Sequence, residues 1–229
     1  MVLAGRVCVD RYEAHLLSAG ASGAMEVHPF QLRPSPGVRY VAANREGAYP
    51  QGYISRLESE SACAAAGKRL CSRHEWQRAC KGTAAAKRGG TQPCNGGKQH
   101  LMTLMFNQPF QYDEHFNSPR LNTEPGFLAR TGEYEACTSE VGAQDMVGNL
   151  HEWVTDPVTR ALIVELESDG VRRQWQPAQV GNATFMGGFY STSGEHGPGC
   201  LFTTVAHEAA YHDYSTGFRC CKDARVAEP

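Results

Sequence analysis

Long apolar runs are missing from this 229-residue chain. No segment approaches the ~18–20 consecutive apolar residues that cross a bilayer, and the N-terminus carries no signal-peptide apolar core. The chain therefore reads as a mature fragment carrying an added Met1. Charge of one sign is equally scarce: 22 Lys+Arg stand against 24 Asp+Glu, a formal net charge of −2. Nothing electrostatic then favours nucleic acid or an anionic membrane as partner. Heptads, internal repeats and low-complexity blocks are absent as well. Disorder is excluded by what is present, since 41% hydrophobic residues suffice for a core in one large domain or two small ones.

CxxC pairs are also missing. The nine cysteines (Cys8, Cys63, Cys71, Cys80, Cys94, Cys137, Cys200, Cys220, Cys221) are spread along the chain. A structural zinc site gathers its thiolates in short knuckles, whereas dispersed cysteines read as a disulfide framework. That framework implies an oxidising, extracytoplasmic compartment: periplasmic, lipoprotein-anchored or secreted. The odd count leaves at least one thiol free or paired outside the chain.

Gly and Pro punctuate the whole sequence, so long helices should be few. Two short ones announce themselves. Ser55-Arg56-Leu57-Glu58 has capping-box spacing before an Ala-rich run stopped by Gly67, and Ser72-Arg73-His74-Glu75 repeats the pattern before Gly82. Strands are expected at 6–13, 184–190 and 217–221, with an edge hairpin from 162–166 and 174–179. Residues 84–144 show little periodicity and need a staple, for which Cys94–Cys137 is the expected pair. Trp76, Trp153 and Phe218 read as core. The fold class is an irregular α+β domain held by disulfides.

The densest motif is Asp145-Met146-Val147-Gly148-Asn149-Leu150-His151-Glu152-Trp153. It places two carboxylates around a Gly-Asn turn that can aim backbone carbonyls inward, a hard-oxygen set suited to Ca²⁺. This block, followed by Gly187-Gly188 and Gly217-Phe218-Arg219-Cys220, resembles the formylglycine-generating enzyme (sulfatase-modifying factor) family. Cys63-Ala-Ala-Ala-Gly67-Lys68-Arg69-Leu70, Glu75-Trp76 with Cys80, and the opening Val9-Asp10-Arg11-Tyr12-Glu13 fit the same pattern in the same order. The resemblance spans nearly the whole chain and implies one domain over 1–229 with a C-type-lectin-like fold of low secondary-structure content. It implies structural Ca²⁺ held by Asp145, the Gly148 and Leu150 carbonyls and Glu152. A second calcium site in some members begins at the position of Asn95. It also implies the disulfides Cys63–Cys220 and Cys80–Cys200. Cys221 is left with Cys8 or Cys71.

The resemblance stops at the copper site. The two cysteines that hold Cu(I) in the oxidase fall near Thr192 and Gly197, so a two-thiolate Cu(I) centre cannot be built here. This marks a divergent member that does not use the copper-thiolate route. Polar groups instead gather near the C-terminus: His196, Thr203, Thr204, His207, Glu208, Tyr211, His212, Asp213 and Tyr214. His207 and His212 with Glu208 or Asp213 form a set suited to Fe²⁺, Cu²⁺ or Zn²⁺, with His196 beside it. Hydrogen bonds that merely pin a long loop are the competing account, and His151 is expected to be a packed side chain.

Two functions follow. One is a metal-dependent oxidoreductase or a protein- or metabolite-modifying enzyme with catalytic His196, His207, Glu208, His212 and Asp213. The other is a calcium-stabilised peptide- or glycan-binding module. In either case a monomer meeting a peptide, protein or small molecule is expected.

Overall fold

The structure, a computed structural model, describes residues 1–84, 93–168, 179–192 and 194–224. Its strands are β1 (Val2–Ala4), β2 (Val7–Val9), β3 (His15–Ala19), β4 (Met25–Val27), β5 (Tyr40–Ala43), β6 (Arg69–Leu70), β7 (His151–Pro157), β8 (Ala183–Met186), β9 (Thr203–Thr204), β10 (Thr216–Phe218) and β11 (Cys220–Asp223). The helices are α1 (Arg56–Ala65), α2 (Arg73–Cys80), α3 (Leu101–Met105), α4 (Arg120–Thr123) and α5 (Arg160–Ser168).

Both expected caps are present. Ser55 and Ser72 each accept from the backbone N–H of a Glu three residues on, and that Glu accepts in return. Two otherwise orphaned amides are thereby satisfied at each end, which lets helices of ten and eight residues stand. Among the described residues, three small sheets have the orders β1-β2-β11-β6, β10-β7-β8-β9 and β4-β3-β5, and of their strand pairs only β10–β7 is parallel.

The expected 217–221 strand divides in two. Phe218 ends β10 in one sheet and Cys220 begins β11 in another, with Arg219 at the crossover. Successive side chains of a strand point to opposite faces. Cys220 accordingly joins Cys63, Leu70, Trp153 and Phe218 in one buried cluster, while Cys221 joins Cys71, Trp76 and Cys80 in another.

The four disulfides are Cys63–Cys220, Cys71–Cys221, Cys80–Cys200 and Cys94–Cys137. Cys8 remains a free thiol on β2. Such a set accords with folding in an oxidising, extracytoplasmic compartment. Among the described residues no helix is long and apolar enough to cross a membrane.

One element contradicts its expectation. Residues 162–166, read above as a strand, lie inside α5, and of the partner strand residues 174–178 fall outside the described residues. Leu162 and Leu166 stand one helical turn apart and bury against Val158 and Val205, and the Thr159 hydroxyl accepts from the Leu162 N–H as a cap.

Candidate functional site

The turn at 145–153 depends on residues that tolerate left-handed backbone. Asp145 and Asn149 take φ of 57° and 58°, a region that short polar side chains enter more readily than others. At Gly148 (φ 81°) a Cβ would lie 2.1 Å from the Asn95 carbonyl oxygen. Asn95 closes the turn by donating to Asn149 Oδ1 (2.8 Å) and the Phe127 carbonyl (2.9 Å). Asn149 in turn donates to Glu13 Oε2 (2.6 Å), and the Leu150 N–H donates to Glu13 Oε1 (3.1 Å).

The carboxylates of this turn do not face an open point. Glu152 accepts from Arg219 Nε and Nη2 (2.6 Å each) and from Trp76 Nε1 (2.7 Å). Arg219 and Glu152 are each only 1% exposed. The guanidinium also donates to the carbonyls of Asp10, Arg11 and Gln144. Asp145 Oδ2 accepts from the Gly132 N–H (2.7 Å). Of the four groups expected to cage Ca²⁺ (Asp145, Gly148, Leu150, Glu152), Glu152 is committed to the Arg219 guanidinium and Asp145 Oδ2 to the Gly132 N–H. At the second expected calcium position, Asn95 Oδ1 is buried without a hydrogen-bond partner. Among the described residues, no three His, Cys, Asp or Glu side chains form a group that could hold a metal.

Three acids share that one guanidinium. Glu13, Asp145 and Glu152 all act electrostatically on one another or on Arg219. Burial first, then Asp145 and Glu152, holds the Glu13 carboxyl well above its usual range. Burial likewise pushes Asp145 up to about 6, against the hydrogen bond from Gly132 and the pull of Arg219. A carboxyl raised in the folded state favours folding below its unfolded value near 3.8, and that contribution is lost as pH rises through about 6. Asp145→Asn keeps an acceptor for Gly132 and suits the left-handed backbone. It is expected to stabilise the protein by up to about 3 kcal/mol at pH 7.5, with the gain vanishing near pH 4. Denaturant melts at both pH values check this, and an equal effect at the two would contradict the assignment.

The second site is a cavity of about 310 Å³. The parallel register sets His151, the first residue of β7, beside Thr216 of β10. Phe185 of β8 lies opposite Thr204 of β9. The chain before α3 closes the cavity from the side: the Gly97 and Lys98 N–H groups donate to the Thr192 and Tyr190 carbonyls, and Ser191 Oγ donates to the Gln99 carbonyl. His100 is thereby carried to the wall. The His151 ring centroid lies 4.6, 5.1 and 5.5 Å from those of Phe185, Phe189 and Phe202. His207 is stacked between Tyr211 (3.8 Å) and Phe185 (5.7 Å), and His196 meets Phe202 edge-on at 5.2 Å.

Burial disfavours charge on three of the lining imidazoles. It lowers His100, lowers His151 far below the ordinary histidine value, and pushes His207 down to about 4. The coulombic effect of His196 adds to the last two. Asp213 also lines the cavity, but its oxygens are committed to a loop lock. Oδ2 accepts from the Tyr211 hydroxyl (2.6 Å), and Oδ1 accepts from Ser215 N (2.8 Å) and Oγ (2.7 Å).

The expected pair His207 and His212 does not converge. His212 turns away to Asn117 Oδ1 (2.7 Å), its backbone held by Tyr112, and Glu208 is exposed. The structure unites His196, His207 and Asp213 at one cavity and leaves His212 and Glu208 outside its lining.

The model of the sulfatase-modifying factor enzyme 1-like domain matches residues 4–224. The chain belongs to that family. No curated protein matches it. Among solved structures it is similar to the Major Tropism Determinant I1 variant (13% identity, TM-score 0.46, 93% of this chain against 61% of that one). The U1 variant is similar at 15% identity and a TM-score of 0.45, again 93% against 61%. The chain thus spans about three fifths of the length of those structures. Of the two positions where the family's copper cysteines are expected, Thr192 lines the cavity. Its hydroxyl accepts from the Phe189 N–H (2.7 Å).

Nothing in the sequence singles out His100, and His151 reads from the sequence as a packed side chain rather than a catalyst. His151 does pack, with three phenyl rings, and it also faces the cavity. No local pattern marks His100, because the backbone bonds to 190–192 that place it join distant segments.

Proposed function

We propose that the chain is a protein- or metabolite-modifying enzyme of the sulfatase-modifying factor family that works at the 310 Å³ cavity without a thiolate-held copper. One observation carries this reading: buried imidazoles face a cavity lined by Thr192, where the family's copper cysteine is expected. Burial holds His100, His151 and His207 toward the neutral form, so each can offer an unprotonated ring nitrogen as a hydrogen-bond acceptor to a bound substrate. Metal-dependent oxidation at these histidines would need donors converging on one point. Among the described residues no three His, Cys, Asp or Glu side chains are grouped in that way, and what the cavity histidines themselves offer a substrate is orientation through hydrogen bonds.

A non-catalytic binding module is the second reading. It is favoured by the stacking of His207 between two rings, which suits a wall better than a mobile base. Incubating the protein with peptide and metabolite extracts, followed by untargeted mass spectrometry, separates the two. The enzyme reading expects at least one species whose mass changes with the natural chain and not with His207→Gln or His196→Gln. A retained ligand of unchanged mass would leave only the binding module.

A further inference from the structure

The walls of this cavity have a charge pattern that selects its ligand. Among the described residues its lining holds two acids, Glu195 and Asp213, and neither Lys nor Arg. The adjoining outer recess contains Lys98, whose ammonium is tied to the Gly126 (2.6 Å) and Phe127 (3.0 Å) carbonyls. The remaining walls are mostly aromatic. The face of an aromatic ring is electron-rich and attracts a cation lying over it. A desolvated cation also needs opposite charge nearby, which Glu195 supplies in the lining, with Asp213 acting through space from within its loop lock. An anion would meet two carboxylates and, among the described lining residues, no Lys or Arg.

We infer that the cavity takes an organic cation, a protonated or methylated amine, as the group it recognises. This rests on the reading of the cavity as the working site and names its substrate class. The imidazoles of His100, His151 and His207, held toward the neutral form by burial, do not oppose a positive ligand. Two buried polar atoms in the lining, His151 Nδ1 and Thr204 Oγ1, have no hydrogen-bond partner, and their residues are 7% and 4% exposed. They can accept from an ammonium N–H or a ligand hydroxyl. The volume of about 310 Å³ exceeds a trimethylammonium head alone. A larger ligand can therefore extend toward the outer recess, which shares His100, Ser191 and Glu195 with the cavity.

Three probes of one shape test this: choline, its uncharged carbon isostere 3,3-dimethyl-1-butanol, and the anion 3,3-dimethylbutanoate. Each is titrated into protein carrying ¹³C-labelled histidine rings, so that the cavity imidazoles report occupancy. Choline is expected to bind at least tenfold more tightly than the neutral isostere, with the anion weakest. Phe202→Leu and, as a variant that leaves the core intact, Glu195→Gln are each expected to weaken choline at least threefold and the neutral probe little. Equal or tighter binding of the neutral or anionic probe would overturn the cation assignment and leave the cavity as the working site. Choline binding untouched by both variants would place it elsewhere and overturn the assignment too. If none of the three moves the imidazole resonances, the cavity reading itself falls with it.

Discussion

Removing both Cys63–Cys220 and Cys71–Cys221 is expected to abolish folding at 37 °C, whereas removing either one alone should leave a folded protein. The two bridges close loops of 157 and 150 residues between nearly the same points of the chain. In the chain-entropy model the first to form restricts the unfolded chain by about 5 kcal/mol. The second closes only a small residual loop, about nine residues long through 63–71 and 220–221, worth about 2.6 kcal/mol. Each single pair of Cys→Ala changes should therefore cost about 2–3 kcal/mol, and both together about 7–8 kcal/mol, more than the two singles added. That total is comparable with the whole stability of a domain this size. The rivet position enlarges the effect, because Cys220 and Cys221 face different buried clusters and fasten β11 to both. Urea denaturation of the two singles and the double measures the coupling. Strict additivity would show that loop closure is not what these bridges contribute.

The parts of the molecule legible in the sequence are those fixed by short-range chemistry or by cysteine. Both capping boxes lie within four consecutive residues, so Ser55–Glu58 and Ser72–Glu75 located their helices directly. Cys63–Cys220 and Cys80–Cys200 followed from the family resemblance, and Cys94–Cys137 from the need to staple a stretch with no periodicity. The choice open for Cys221 falls to Cys71 because β6 pairs with β11 and brings residue 71 alongside. The α5 segment misled because its Ala161–Val164 run is apolar on every face, and only Leu162, Leu166 and the Thr159 cap betray a helix. The cavity was half visible. His196, His207 and Asp213 lie in one dense segment, but His100 arrives through backbone bonds to residues about ninety positions away. The Glu152–Arg219 pair within the expected calcium block is one that no local pattern encodes, since the two residues are 67 positions apart and meet where β10 gives way to β11.

Arg219→Ala is expected to destabilise the protein by about 3–5 kcal/mol, because it removes the one cation from a buried set of three carboxyls. Glu152 would lose two charge-assisted bonds of 2.6 Å and keep only Trp76. The carbonyls of Asp10, Arg11 and Gln144 would lose their donor as well, loosening the chain after β2 from the turn that leads into β7. Arg219→Lys should recover little, since an ammonium cannot present the planar fork that reaches Glu152 and three carbonyls together. The pH dependence carries the diagnostic sign. Glu13 and Asp145 already have raised carboxyl values, and without the guanidinium both rise further. Their protonation then relieves the buried charge, so the Arg219→Ala deficit should shrink as pH falls from 7.5 to 5. Replacing the pair together, as Glu152→Gln with Arg219→Met, should cost less than Arg219→Ala alone, because it leaves fewer uncompensated charges in the interior. Denaturant midpoints for the three variants at both pH values decide the matter. A deficit for Arg219→Ala that is constant with pH would mean that the arginine stabilises the crossover through its carbonyl bonds, and not by neutralising Glu13, Asp145 and Glu152.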